Sequence, residues 1–296
     1  MRFFCLCMSP AIDATVSLPC APKGNGEIFK DVAEEENVGG KTVNVARWLA
    51  LRGADVVCGG LLGEENDHAF VKELARYGIK DGFVRVPGAT RRNEMIVWPG
   101  GSVKLNRTAF RQLESLPGAD CLAGADGCDV AILSGSLPKC CGVDFYARCV
   151  RTLKERGLSV VLDASGEAMR LGLEAGPCLV KPNAEECEPL VGFVPADADG
   201  FRRADAILRA KAVHAAVSDG GAGAWFDGAF VPAPRVDVVD TTAAGDTLLA
   251  EFCWRHFAEG LSIADAGRWA VAAGSAACTM PGGAPPATEL VAALNL

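Results

Sequence analysis

A carboxylate set among small residues at the head of a helix is the feature of this chain best suited to chemistry. The segment reads Asp240-Thr-Thr-Ala-Ala-Gly-Asp246 and runs straight into Thr247-Leu-Leu-Ala-Glu-Phe-Cys-Trp-Arg-His-Phe257. Leu248, Leu249, Phe252, Cys253 and Phe257 recur at helical spacing, which predicts a helix with one buried face starting near Ala244. Val236 to Asp240 alternates like a strand end. The turn between them leaves backbone N–H groups free at a helix N-terminus, where an anion is favoured. A carboxylate beside such a cradle suits phosphoryl transfer: Asp246 would take the proton of an attacking hydroxyl while the amides hold the transferring group. An Asp that merely caps the helix fits this segment equally well.

Other polar clusters sit at comparable places. Gly39-Gly-Lys-Thr-Val-Asn44 opens a helix that Gly53 closes. The bare glycines let backbone approach a polyol, and Lys41 and Asn44 can offer it donors. Gly40-Lys41-Thr42 ends like a P-loop, but the first glycine of that loop would fall at Glu35, and Glu34-Glu-Glu-Asn37 precedes it instead of an apolar strand. Arg91 and Arg92 precede the strand Glu94–Trp98 and suit either a phosphate, through the planar guanidinium, or plain solvent. Asn183 and Glu186, three apart, suit Mg²⁺ held through water or a capping box. Ser134-Gly-Ser-Leu-Pro138 lacks the G-x-S-x-G frame of a hydrolase, and Ser218-Asp-Gly-Gly-Ala-Gly-Ala224 lacks a dinucleotide fingerprint.

These residues need a scaffold that gathers them. Apolar strand runs alternate with amphipathic helices, and the runs end repeatedly in Asp, Asn, Ser or Gly, as at Asp13, Asp163 and Asn183. That pattern predicts an α/β fold with a mostly parallel sheet covered on both faces and polar groups collected along one edge. Thr15–Leu18 and Glu27–Ala33 read as short strands joined by the Pro19–Gly26 segment, outside the main sheet. No linker or repeat divides the chain, so the expectation is one domain over 1–296 with lid excursions near 14–38 and 88–110.

A formal net charge of −8 argues against a general nucleic-acid binder. No apolar run is long enough for a membrane span, and the N-terminus reads as a buried first strand. The 13 cysteines are scattered without a C-x-x-C pair, which suggests free buried thiols in a reducing cytoplasm. The three histidines, His68, His214 and His256, form no motif.

Taken together, several segments resemble the ribokinase-like carbohydrate kinase family in its phosphofructokinase-B branch, and the likeness runs nearly end to end. It rests on Pro10-Ala-Ile-Asp13, Gly39-Gly-Lys-x-x-Asn44, Thr90-Arg91-x-Asn93, Ser134-Gly-Ser-Leu-Pro138, Leu162-Asp-Ala-Ser165-Gly, Lys181-Pro-Asn183, Ser218-x-Gly220-x-x-Gly223 and the Asp246 turn. The nearest resemblance is to bacterial 1-phosphofructokinases and tagatose-6-phosphate kinases. It implies a ribokinase-like three-layer fold with a small β lid, and an ATP- and Mg²⁺-dependent kinase acting on a ketohexose monophosphate, with fructose 1-phosphate as first choice. Tagatose 6-phosphate, fructose 6-phosphate and unphosphorylated sugars or nucleosides are the rival acceptors, and a sensor without turnover is the rival class.

By the same likeness Asp246 is the base, with the amides of Ala243, Ala244 and Gly245 as anion hole. Asp13, Gly39, Gly40, Lys41, Asn44, Asn93 and Ser136 hold the sugar, and Arg91 holds its resident phosphate. Lys181, Asn183 and Glu186 attend the ATP phosphates and Mg²⁺, the last two indirectly. Ser218, Gly220, Gly223 and Gly274 line the nucleotide pocket, and a homodimer joined through the lids is implied. Four residues depart from the family pattern close to this chemistry, one of them Asp219 where leucine is usual. Ala243 stands for glycine and would cost about 1 kcal/mol if its φ is positive. Thr42, also at a glycine position, would narrow the sugar pocket or add a hydroxyl to it. Glu251 stands where the helix often has glycine.

Overall fold

The computed structural model describes residues 1–24, 26–116 and 120–295. Its first half runs β1 (Arg2–Cys7), β2 (Ala11–Ser17), β3 (Ala33–Gly39), α1 (Lys41–Leu51), β4 (Asp55–Gly63), α2 (His68–Arg76), β5 (Lys80–Val86), β6 (Arg92–Trp98), β7 (Gly101–Leu105) and β8 (Val130–Ser134). The second half continues with α3 (Phe145–Glu155), β9 (Ser159–Asp163), α4 (Gly166–Glu174), β10 (Leu179–Val180), α5 (Glu188–Val191), α6 (Ala198–Arg209) and β11 (His214–Ser218). It closes with β12 (Gly223–Phe226), β13 (Ala229–Pro232), α7 (Ala244–Cys253), α8 (Ile263–Ala277) and α9 (Thr288–Leu294).

The main sheet has nine strands in the order β13-β12-β11-β10-β9-β8-β1-β4-β5. From β11 to β5 every pairing is parallel, and β12 and β13 add an antiparallel edge. In β1, Phe3, Cys5 and Cys7 face one apolar layer while Phe4 and Leu6 face the other. This alternation lets a continuous apolar run bury both faces at once. α1, α2, α7, α8 and α9 cover the first face, and α3, α4, α5 and α6 cover the second. Each fully buried Phe or Leu side chain contributes about 1.5–3 kcal/mol, so these two layers fix the frame that carries the site.

A separate four-stranded sheet, ordered β3-β2-β6-β7, stands off the end of the main one. Two sequence expectations are corrected here. The strand preceding α1 is Ala33–Gly39, not Glu27–Ala33, and residues 27–31 are irregular. Glu34, Glu35 and Glu36 look too acidic for a strand, yet β3 is an edge with its first five residues exposed, and Arg92 of β6 pairs with both Glu34 and Glu36. Val236–Asp240 alternates in sequence but forms no strand. Among the described residues it has no sheet partner, and residues 236–238 line a cavity instead.

Candidate active site

The parallel strands all end at the same edge of the sheet, and the segments that follow them supply the polar groups. Asp246 lies in the first turn of α7 and is 6% exposed. Ala243 immediately before the helix is left-handed, φ 62° and ψ 4°, so the strain anticipated for an alanine here is present. That turn leaves the N–H groups of Ala243, Gly245 and Asp246 without a partner among the described residues. The N–H of Ala244 instead donates to Thr241 O at 3.3 Å, which ties it into the turn.

Asn44 Nδ2 donates to Asp246 Oδ2 at 2.8 Å. Arg47 Nη1 in turn donates to Asn44 Oδ1 at 3.2 Å, which fixes the amide so that its NH₂ faces the carboxylate. Behind them, Asp163 at the end of β9 is fully buried. Lys181 Nζ stands 3.4 Å and Lys41 Nζ 3.7 Å from its two oxygens, and Ser134 Oγ donates to it at 2.9 Å. Burial pushes the Asp246 carboxyl up to about 6, and the Asp163 charge adds to the rise. The Asn44 hydrogen bond and the Lys41 and Lys181 charges oppose it without cancelling it. Lys41 is held above its ordinary value: burial disfavours its charge, but Asp163, Asp246 and Glu186 outweigh that. A carboxyl titrating near 6 is close to the range that suits a general base at neutral pH.

Two cavities meet beside this carboxylate. One of about 530 Å³ is bounded by Asp13, Gly40, Lys41, Asn44, Arg91, Asn93, Lys181, Glu186, Ala243 and Asp246. The other, about 810 Å³, is bounded by Gly220, Gly223, Ala244, Leu248, Gly274 and the irregular 233–238 segment. Asn183, Ser218, Thr241 and Gly245 belong to both walls. A side pocket of about 200 Å³ branches off between Lys41, Arg91 and Ser136. The site residues expected from sequence therefore converge from across the chain. Gly39 is not among the residues lining these cavities but packs against one that is, since a Cβ there would lie 1.9 Å from Asp13 Oδ2. Gly40 has φ 120°, a conformation open to glycine alone. Asp13 accepts from Asn93 Nδ2 at 2.7 Å.

Some residues behave differently from expectation. Thr42 does not reach the cleft: it is fully buried, and its hydroxyl lies 3.0 Å from Leu6 O and 2.7 Å from Ser134 O, stitching α1 to β1 and β8. Glu251 is also fully buried, away from the cleft, against Trp48, Arg52 and Arg255. Asn183 and Glu186 realise the capping box, each side chain accepting the other's N–H, at 2.8 and 3.0 Å. Arg91 donates to three carbonyls, Ser9 O, Pro10 O and Arg107 O, which join the two roots of the small sheet. Two residues not expected here join the cluster: Asp163 behind Lys41 and Lys181, and Lys104 in the wall of the smaller cavity. Asp163 had a signal, an Asp closing an apolar strand. Lys104 had none beyond strand alternation.

A three-layer sheet with its polar edge under a small four-stranded sheet is the architecture of ribokinase-like sugar kinases. The model of the pfkB family carbohydrate kinases matches residues 9–290, and this chain belongs to that family. It is 33% identical to the 1-phosphofructokinase of Rhodobacter capsulatus over 314 aligned residues, covering 99% of this chain and 96% of that one. To the 1-phosphofructokinase of Escherichia coli K12 it is 30% identical, covering 84% of this chain and 82% of the other. Among solved structures, Escherichia coli phosphofructokinase-2 in complex with potassium superposes with a TM-score of 0.86 at 25% identity, covering 99% and 98% of the two chains. The protein is thus an enzyme, a sugar kinase.

Proposed function

We propose that this kinase transfers the terminal phosphoryl group of ATP to a hydroxyl of a ketohexose monophosphate, with fructose 1-phosphate as acceptor and fructose 1,6-bisphosphate as product. The observation that carries this reading is the meeting of two cavities at Gly245, beside Asp246 in the wall of the smaller one. The larger cavity takes the nucleotide, against Ser218, Gly220, Gly223 and Gly274. The smaller takes the sugar, against Asp13, Gly39, Gly40, Lys41, Asn44 and Asn93. Asp246 removes the proton of the attacking hydroxyl, and the unpartnered amides of Ala243 and Gly245, with that of Asp246 itself, receive the transferring group. Arg91 and Ser136 at the side pocket hold the phosphate already on the acceptor. The names of the 1-phosphofructokinase relatives support that choice of sugar.

Magnesium fits this site as a passenger of the nucleotide. Among the described residues no group of three acidic, His or Cys side chains could hold a metal alone. Glu186 has one oxygen engaged by Asn183 N, and with Asn183 and Lys181 it attends the ATP phosphates and the ion through water. When bound, Mg²⁺ would neutralise charge building on the transferring group. The small sheet is the lid of a single domain, excluding water that would compete as acceptor. The reading carries a homodimer; Escherichia coli phosphofructokinase-2 has a tetrameric inhibited form. Buried free thiols such as Cys5, Cys58 and Cys253 support a reducing, cytoplasmic setting.

Measuring ADP release over free and phosphorylated hexoses tests the proposal. Fructose 1-phosphate should give the highest kcat/KM, and Arg91→Ala should lose that preference. A free hexose turned over as well as its phosphate would overturn the acceptor class. The rival reading, binding without turnover, rested on Ala243, Thr42 and Glu251. Thr42 and Glu251 prove to be packing residues, so it keeps only the strain at Ala243.

A further inference from the structure

Four cations line the sugar-side cavity: Lys41, Arg91, Lys104 and Lys181. Lys41 and Lys181 share Asp163, and Arg91 is spent largely on carbonyls. Among the described residues Lys104 alone of the four has neither ion pair nor hydrogen bond. Its place is fixed by strand register. Lys104 of β7 is opposite Met95 of β6, while Asn93, two residues earlier on β6, is opposite Asp13 of β2. Side chains at such positions share one face of the sheet, so Lys104 projects from the same lid face as Asp13 and Asn93, toward the cleft. Its field also reaches the turn that leads to Asp246. Burial would raise the Asp240 carboxyl, but hydrogen bonds from Thr242 and Gly282 N, joined by the Lys104 charge, hold it below its ordinary value.

We infer that Lys104 is a substrate-contacting residue: a lid-borne ammonium that binds the terminal phosphate of the nucleotide where it enters the sugar-side cavity. This rests on the kinase reading above. Two phosphate-bearing reactants bring several negative charges into one cleft, and two of its cations already share the single charge of Asp163. An unpaired ammonium with three donors on a flexible stem can follow a phosphate during transfer. Because β7 belongs to the lid, the contact exists only when the lid lies over the cleft, and ATP affinity is thereby linked to lid position.

The test compares Lys104→Ala, Lys104→Met and Lys104→Arg with wild type, titrating Mg²⁺ with the non-hydrolysable β,γ-imido analogue of ATP, then AMP, by calorimetry. The Ala and Met variants should bind the imido analogue roughly tenfold more weakly, with AMP unchanged within about twofold and Arg restoring most of the loss. In steady state the KM for ATP should rise more than the KM for fructose 1-phosphate. Equal imido-analogue affinity in all four proteins would overturn the inference. So would equal losses for AMP, which would mark a structural defect, or a loss confined to the KM of the sugar, which would move the ammonium to the acceptor's phosphate. A wild type that binds the analogue but phosphorylates no sugar phosphate would sink the acceptor assignment, and the binding titrations would still decide the role of Lys104.

Discussion

Asp246 and Glu251 sit five residues apart on α7, both buried, and they are treated in opposite ways. Glu251 receives Trp48 Nε1 at 2.7 Å and Arg255 Nε at 2.8 Å, with Arg52 Nε 3.4 Å away. Arg255 is itself packed over the Trp269 ring at 3.7 Å. Asp246 receives one neutral amide and faces a second carboxylate, Asp163, across two lysines. A buried charge that is fully matched ties helices together, here α1 to α7. One left under-compensated is poised to change protonation state. The same helix therefore carries a structural carboxylate and the one proposed as the base, and only their partners tell them apart.

Replacing each carboxylate breaks that contrast most directly. Asp246→Asn should lose at least about 10²-fold in kcat while keeping ATP affinity, the scale of a general base; wild-type rates would remove Asp246 from the chemistry. In wild type, kcat/KM should fall about tenfold per pH unit below about 6, where Asp246 takes up its proton. Stability runs the other way. The Asp246 carboxyl rises from 3.8 to about 6 on folding, so between those values the folded chain holds a proton the unfolded chain has lost. Stability then falls as pH rises through that window, by about 3 kcal/mol in all. Asp246→Asn should accordingly be more stable than wild type at pH 7, by about 1–3 kcal/mol in urea unfolding.

Glu251→Ala should show the reverse, losing about 3–5 kcal/mol because two arginines and an indole N–H are left unmatched, with both KM values unchanged in the folded protein. A loss below about 1 kcal/mol would show that the cluster is not the strut described here. The smallest effect concerns the turn between the two cavities. Ala243→Gly should gain about 1 kcal/mol of stability by relieving a left-handed alanine, and an unchanged denaturation midpoint would mean the turn carries no strain.

Much of this was legible in the residues themselves. Parallel strands announce themselves as apolar runs ending in polar residues, and the helix start near Ala244 follows from its periodicity. What stayed hidden depends on partners distant in sequence. Nothing local to Val236–Asp240 says that no strand lies beside it. An acidic run becomes a strand only because Arg92 waits across the small sheet. Thr42 looks like a pocket residue until Leu6 O and Ser134 O are seen behind it. Asp163 and Lys104 acquire meaning from cations and cavity walls that folding brings near.

Gly245 sits in the wall common to both cavities, and its backbone does not need the freedom of glycine, having no positive φ. A methyl group there would come within 3.7 Å of Lys181 Nζ, ordinary contact rather than collision. The absent carbon is therefore a matter of clearance. On the proposed mechanism it keeps open the passage through which a phosphoryl group travels from donor to acceptor, so an alanine at 245 should leave a folded protein with its two chambers partly shut off from each other.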